Sequence, residues 1–134
     1  MKAIVDDKIP YIYGSLERLG FEVQYLTGSR IGREDVRDAD LLVVRTRTRC
    51  DEALLSDSRV SMVVTATIGL DHLDTQWLSA QGIRWANCPG CNATSVAQYV
   101  RNCLLAMQED FAIDPAGLTV GIVGVGNVGR AVRE

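Results

Sequence analysis

No uninterrupted apolar run in this chain approaches the ~20 residues that span a bilayer, so no membrane-spanning helix and no membrane partner are expected. The opening Met1-Lys2-Ala3-Ile4-Val5-Asp6-Asp7 meets acid early and holds no signal-peptide core. An excess of positive charge is also missing. With 14 Lys+Arg against 17 Asp+Glu the formal net charge is −3, which argues against nucleic acid held by bulk charge. Four cysteines do not make a disulfide scaffold in a core-rich chain, and a reducing cytoplasm is the expected compartment. Internal repeats and low-complexity segments are absent. What is there suits one compact domain, or one domain plus part of another: 134 residues, 47% hydrophobic and 23% charged. That composition excludes intrinsic disorder as the main description.

Strand-like and helix-like segments alternate. Lys2–Val5 reads as a strand. Pro10 opens a helical pattern through Ile12, Leu16 and Leu19 to Gly20, and Phe21–Leu26 is again a strand. Glu34–Ala39 reads as a short helix and Leu41–Val44 as a wholly apolar strand. Asp51 is the N-cap of Glu52–Leu55, and the apolar run Val60–Val64 follows. A helix over Thr75–Ala80, a strand over Ile83–Ala86 and a long helix from Ala93 to about Glu109, capped by Asn92, come next. Thr119–Val123 reads as a last strand. Strands apolar on both faces imply a parallel α/β sheet covered on both sides, and right-handed crossovers favour a doubly wound one. Ligands in such sheets bind beyond the carboxyl ends of strands. The segments 45–49, 65–74 and 89–92 fall there, and the expected domain boundary lies between Asn87 and Asn92, with Asp110–Gly117 as a second connector.

Four motifs carry chemistry. Gly124-Val125-Gly126-Asn127-Val128-Gly129 follows an apolar strand and should open a helix, the arrangement that brings bare backbone to a pyrophosphate. The ribose-binding acid, expected ~20 residues further on, would fall past Glu134. Arg45-Thr46-Arg47-Thr48-Arg49, if extended, points three guanidiniums one way for a carboxylate or phosphate; the competing reading is a solvated loop. Thr65-Ala66-Thr67-Ile68-Gly69-Leu70-Asp71-His72 suits an anion-binding nest. Its lone His72, beside Asp71 and Asp74, reads as a hydrogen-bonded structural residue rather than a general base. Cys88-Pro89-Gly90-Cys91 has redox spacing, but two free thiols in a tight turn is the favoured reading, and no second cysteine pair completes a zinc site. No metal ligand set is assigned. Trp77 and Trp85 read as core or interface residues.

Taken together, Asp6–Tyr11, Val44–Thr48, Thr65–Asp74, Pro89–Ala93 and Gly121–Gly129 resemble the D-isomer-specific 2-hydroxyacid dehydrogenase family. The strings Thr65-Ala66-Thr67-Ile68-Gly69, Asp71-His72 and Pro89-Gly90-Cys91-Asn92 are most similar to its erythronate-phosphate branch. The resemblance implies a flavodoxin-like substrate domain over residues 1–90, a helix and connector over 91–117, and the opening strand and turn of a Rossmann domain over 118–134. It implies NAD as cofactor, a small phosphorylated hydroxyacid (4-phospho-D-erythronate, oxidised at its 2-hydroxyl on the way to pyridoxal phosphate) as substrate, and a homodimer. By matching positions, Thr46 and Thr67 would contact substrate with Arg45 and Gly69 close by, and Gly124, Gly126, Asn127, Val128 and Gly129 would form the pyrophosphate turn. The family's catalytic residues fall in later segments, so no catalytic residue is assigned and the chain alone is expected to be inactive. Competing readings are another 2-hydroxyacid dehydrogenase such as a phosphoglycerate dehydrogenase, a non-catalytic anion-binding or dimerising module, and a thiol redox module. The residues after Gly129 are expected to be too few for a stable helix on their own, and the strand before them to lack partners.

Overall fold

The computed structural model describes residues 1–134, the side chain of Pro115 excepted. It divides into two compact units, Met1–Cys88 and Pro89–Glu134.

The first unit is built on five parallel strands: β1 (Lys2–Asp6), β2 (Glu22–Leu26), β3 (Leu41–Val44), β4 (Met62–Thr65) and β5 (Arg84–Ala86). Their order across the sheet is β2-β1-β3-β4-β5. This is the flavodoxin-like order, in which the direction of winding reverses between β1 and β3. Alternation along each strand sorts the side chains into two layers. Ile4, Leu42, Val44 and Val63 face one way and join Val36 of α1 (Arg33–Val36), Leu55 of α2 (Glu52–Leu55) and Leu78 of α3 (Thr75–Ala80) in the larger core. Ala3, Val5, Leu41 and Val43 face the other way onto Ile9, Ile12 and Leu16. Fully burying a side chain such as Ile4 or Leu42 stabilises the fold by about 2 kcal/mol. The short helices are held by their caps as much as by their length. Asp51 accepts from the Leu54 N–H at 3.3 Å, and Asp74 accepts from the Trp77 N–H at 3.0 Å.

The connection from β1 to β2 departs from the sequence reading. Residues 10–20 form turns and a single 3₁₀ turn, Glu17–Leu19, not a helix. Tyr11 at φ 59° and Gly14 at φ 77° interrupt the right-handed path, although Ile12 and Leu16 still pack on the sheet. The apolar spacing was real; its backbone is not helical. Trp77 packs against the larger core and Trp85 is partly exposed.

In the second unit α4 (Ala93–Phe111) and α5 (Asn127–Arg133) pack against each other. Two expectations are corrected here. Asn92 makes no side-chain cap; it enters α4 at φ −106°, ψ 4°, and only its carbonyl accepts, from the Val96 N–H at 3.0 Å. Thr119–Val123 is not a strand, because the described residues offer it no neighbouring strand to pair with. α5 runs to Arg133, and packing on α4 supplies what its seven residues would lack on their own.

Candidate functional site

Parallel strands deliver their C-terminal ends to one edge of the sheet, and the polar side chains of the first unit collect there. At the β1/β3 reversal the Asp6 carboxylate is fully buried. It accepts from Arg45 Nε at 3.2 Å, from Arg45 Nη2 at 3.3 Å and from the Lys8 N–H at 2.9 Å. Gly28 sits against this pair: a Cβ there would lie 2.4 Å from Asp6 Oδ2 and 3.2 Å from Thr48 Oγ1. Thr48 Oγ1 donates to the Gly28 carbonyl at 2.8 Å. The reversal point, where sheets of this order commonly take ligands, is thus filled by the protein's own ion pair.

One strand further on there is space. A cleft of about 390 Å³ is lined by Thr46, Arg47, Arg49, Gly69, Asp71 and His72. The loop that forms its far wall is pinned from three sides. Asn87 Nδ2 donates to the Ile68 carbonyl at 2.8 Å, the Cys88 N–H donates to the Thr67 carbonyl at 3.1 Å, and the Cys50 N–H donates to the His72 carbonyl at 2.8 Å. Thr67 Oγ1 lies 2.7 Å from Thr65 Oγ1, which in turn lies 2.9 Å from His72 Nε2. Burial holds the His72 imidazole below its usual pKa, and the nearby Asp71 pulls weakly the other way.

The three arginines do not point together, as an extended segment would have required. Residues 46–48 turn instead, with the Thr48 N–H donating to the Arg45 carbonyl at 3.4 Å. Arg45 is committed to Asp6 and Arg49 Nε donates to Asp51 at 2.8 Å, while Arg47 has no carboxylate within ion-pair distance among the described residues. The partner of His72 is the Thr65 hydroxyl, not Asp71 or Asp74. Sequence reasoning placed Asp6 and Thr65 inside motifs without giving either a role of its own, and it passed over Gly28; an acid closing one buried strand and an arginine following the next is the signal that pairs Asp6 with Arg45.

The cysteines offer little chemistry. Cys50 is buried and its thiol is pushed up to about 12, first by desolvation and then by Asp51. Cys88, Cys91 and Cys103 are free thiols, the first half-buried and the other two exposed. Among the described residues no group of His, Cys, Asp and Glu is arranged to hold a metal, and no helix is long and apolar enough to cross a membrane.

The glycine turn of the second unit opens α5, as expected, but no strand leads into it. Gly124 has φ 91°, which glycine alone adopts at ease. A Cβ on Gly129 would meet the Gly124 carbonyl oxygen at 2.1 Å, so α5 approaches the turn only because that Cβ is missing. Gly126 faces open space. Gly90, at φ 78°, lies against Asn127: a Cβ there would be 3.1 Å from the amide nitrogen. Backbone bare on one side and tight on the other fits the pyrophosphate of a dinucleotide, which Gly124, Gly126, Asn127, Val128 and Gly129 would hold.

The chain is 50% identical over all 134 residues to the erythronate-4-phosphate dehydrogenase of Bacteroides fragilis and 51% identical over the same length to that of Bacteroides thetaiotaomicron. It spans 38% of the length of each of these curated relatives. Among solved structures it is similar to the NAD+-bound 3-phosphoglycerate dehydrogenase of Entamoeba histolytica, with a TM-score of 0.73 and 25% identity over 99% of this chain and 49% of that one. Residues 3–129 match the D-isomer specific 2-hydroxyacid dehydrogenase catalytic domain, and the chain belongs to that family.

Proposed function

We propose that this chain supplies the substrate-binding part and the first cofactor-binding turn of an NAD-dependent dehydrogenase that oxidises 4-phospho-D-erythronate at its 2-hydroxyl, a cytoplasmic step towards pyridoxal phosphate. The observation that carries this reading is the level of identity: about half of all positions agree with relatives named for that substrate, against a quarter for the phosphoglycerate enzyme. The cleft beside β3 and β4 brings a hydroxyl, backbone and two guanidiniums around one space, with Asp71 the one acid in its lining, and the two arginines outweigh that acid in favour of a small anion. Residues 1–90 act as the substrate domain, 91–117 as the connector and 118–134 as the start of the nucleotide domain.

In this reading Thr46, the Thr67 hydroxyl and the backbone at Gly69 orient the hydroxyacid, and Arg47 faces its charge. Arg45 acts at one remove, holding the β1 and β3 ends together through Asp6. Gly124, Gly126, Asn127, Val128 and Gly129 would hold the pyrophosphate of NAD, which would supply the hydride acceptor, while the proton acceptor lies outside the residues assigned here. The protein's part at the turn is to keep Gly124, Gly126 and Gly129 bare so that the dinucleotide can approach. Two copies of the enzyme associate through the second unit.

The test is an NADH assay of the longer protein carrying this segment. Turnover of 4-phospho-D-erythronate is expected at a kcat/KM well above that for 3-phosphoglycerate, and Thr46→Ala should lower it about tenfold through KM, the loss expected for one hydrogen bond to a charged ligand. The isolated 134-residue chain should produce no NADH above a buffer blank, since no residue in it is assigned the proton-accepting role. A preference for 3-phosphoglycerate would transfer the reading to that sister enzyme.

A further inference from the structure

The three bonds that end at Gly69 have a direction. The Gly69 carbonyl only accepts, so the single hydroxyl proton of Thr67 is spent on it, at 3.3 Å. Thr67 must then receive in the 2.7 Å contact with Thr65, which makes Thr65 the donor there. With its own proton used, Thr65 accepts from His72, so the proton on the imidazole sits at Nε2 and Nδ1 is bare. One buried ring therefore sets the polarity of a run of hydroxyls that ends at Thr67, on the loop whose Gly69 lines the cleft. Thr65 is completely buried and His72 nearly so, which leaves water little part in deciding that direction.

The last bond is the longest of the three and the easiest to exchange. When an oxyanion enters, Thr67 can trade the Gly69 carbonyl for the ligand while both inner bonds stay made. We propose that His72 is a positioning residue which, through Thr65, fixes the Thr67 hydroxyl as a donor for a bound carboxylate or phosphate oxygen. This rests on the reading of Thr67 as a substrate contact. With the opposite tautomer Thr65 would donate to the ring, Thr67 to Thr65, and no proton would remain for the ligand. The ring touches no reacting atom; its part is to keep that proton pointing outward.

His72 is the only histidine, so a long-range ¹H–¹⁵N spectrum of the full chain with ¹⁵N-labelled histidine reads its tautomer without assignment work. Near neutral pH a protonated Nε2 and a bare Nδ1 are expected. Thr65→Val removes the acceptor and should shift the population toward the Nδ1–H form; a tautomer that is Nδ1–H from the start, or is indifferent to Thr65→Val, would overturn the proposal. The second arm titrates 4-phospho-D-erythronate. His72→Gln, which keeps a donor near the Nε2 position, should retain affinity, and His72→Leu should weaken it about fivefold to tenfold, the scale of one hydrogen bond. Equal weakening in both variants, with wild-type thermal stability, would also sink it. If the expected tautomer responds to Thr65→Val but no phosphohydroxyacid binds, the substrate reading fails while the polarity of the run stands.

Discussion

Two arginines two residues apart meet opposite fates. Arg45 compensates a carboxylate with no exposure to solvent, whereas Arg47 has no carboxylate within ion-pair distance among the described residues. Removing one partner of a buried pair leaves an uncompensated charge, which costs about 3–5 kcal/mol, whereas an unpaired surface side chain contributes within about 0.5 kcal/mol. Arg45→Ala should therefore lower the urea midpoint sharply and Arg47→Ala hardly at all. Adding Asp6→Asn to Arg45→Ala should recover part of the loss, because the orphaned charge goes with it. Equal midpoints for the two single variants would show that Arg45 contributes as a surface residue. His72 gives a different signature. Its pKa lies below the unfolded value of 6.5 because burial disfavours the charged ring. The stability this contributes is complete above 6.5 and is lost as pH falls through the lower folded value. Denaturation midpoints should fall on mild acidification in the native chain, and fall less in His72→Gln; parallel curves would remove His72 from the account.

At the scale of elements, a single contact decides whether the second unit holds together. Any Cβ at position 129 collides with a backbone carbonyl, and no rotamer change relieves a clash with backbone. Gly129→Ala should detach α5 from the turn, seen as faster amide exchange over 127–133 with β1 to β5 unchanged. Unaltered exchange there would mean the turn has slack that the geometry does not suggest. The elements also show what the sequence could and could not reveal. Leu41–Val44 and the Asp51 cap were legible because each is decided locally, by an apolar run or by one side chain and the next turn. The helix expected at residues 10–20 failed because the apolar spacing at Ile12, Leu16 and Leu19 says nothing of the positive φ at Tyr11. Thr119–Val123 failed because a strand is made by its neighbour. Thr46 and Gly69 could be placed at strand ends from the order of segments alone. Asp6 could not be joined to Arg45, since that needs β1 beside β3, and strand order is not written in a local pattern.

The whole molecule is unevenly finished. The first unit buries its central strands β1 and β3, while the second leaves Tyr99, Leu105, Phe111, Leu118, Val120, Val123 and Val125 more than half exposed. Of α4's nineteen residues only Ala97 is buried. Each Å² of such apolar surface withdrawn from water is worth about 25 cal/mol. The expectation from the family is a homodimer, and this surface gives association a driving force. Sedimentation or light scattering of the 134-residue chain should show a dimer whose fraction rises with concentration, and charges placed at Tyr99 and Leu105 should shift it toward monomer. The opposing outcome is specific. A strict monomer at high concentration, with strong amide protection throughout 93–134, would mean that the second unit is stable with its apolar face in water. A monomer with weak protection there would place the same cost in local unfolding instead, because a helix pair that cannot cover its apolar side loses order before the five-stranded sheet does.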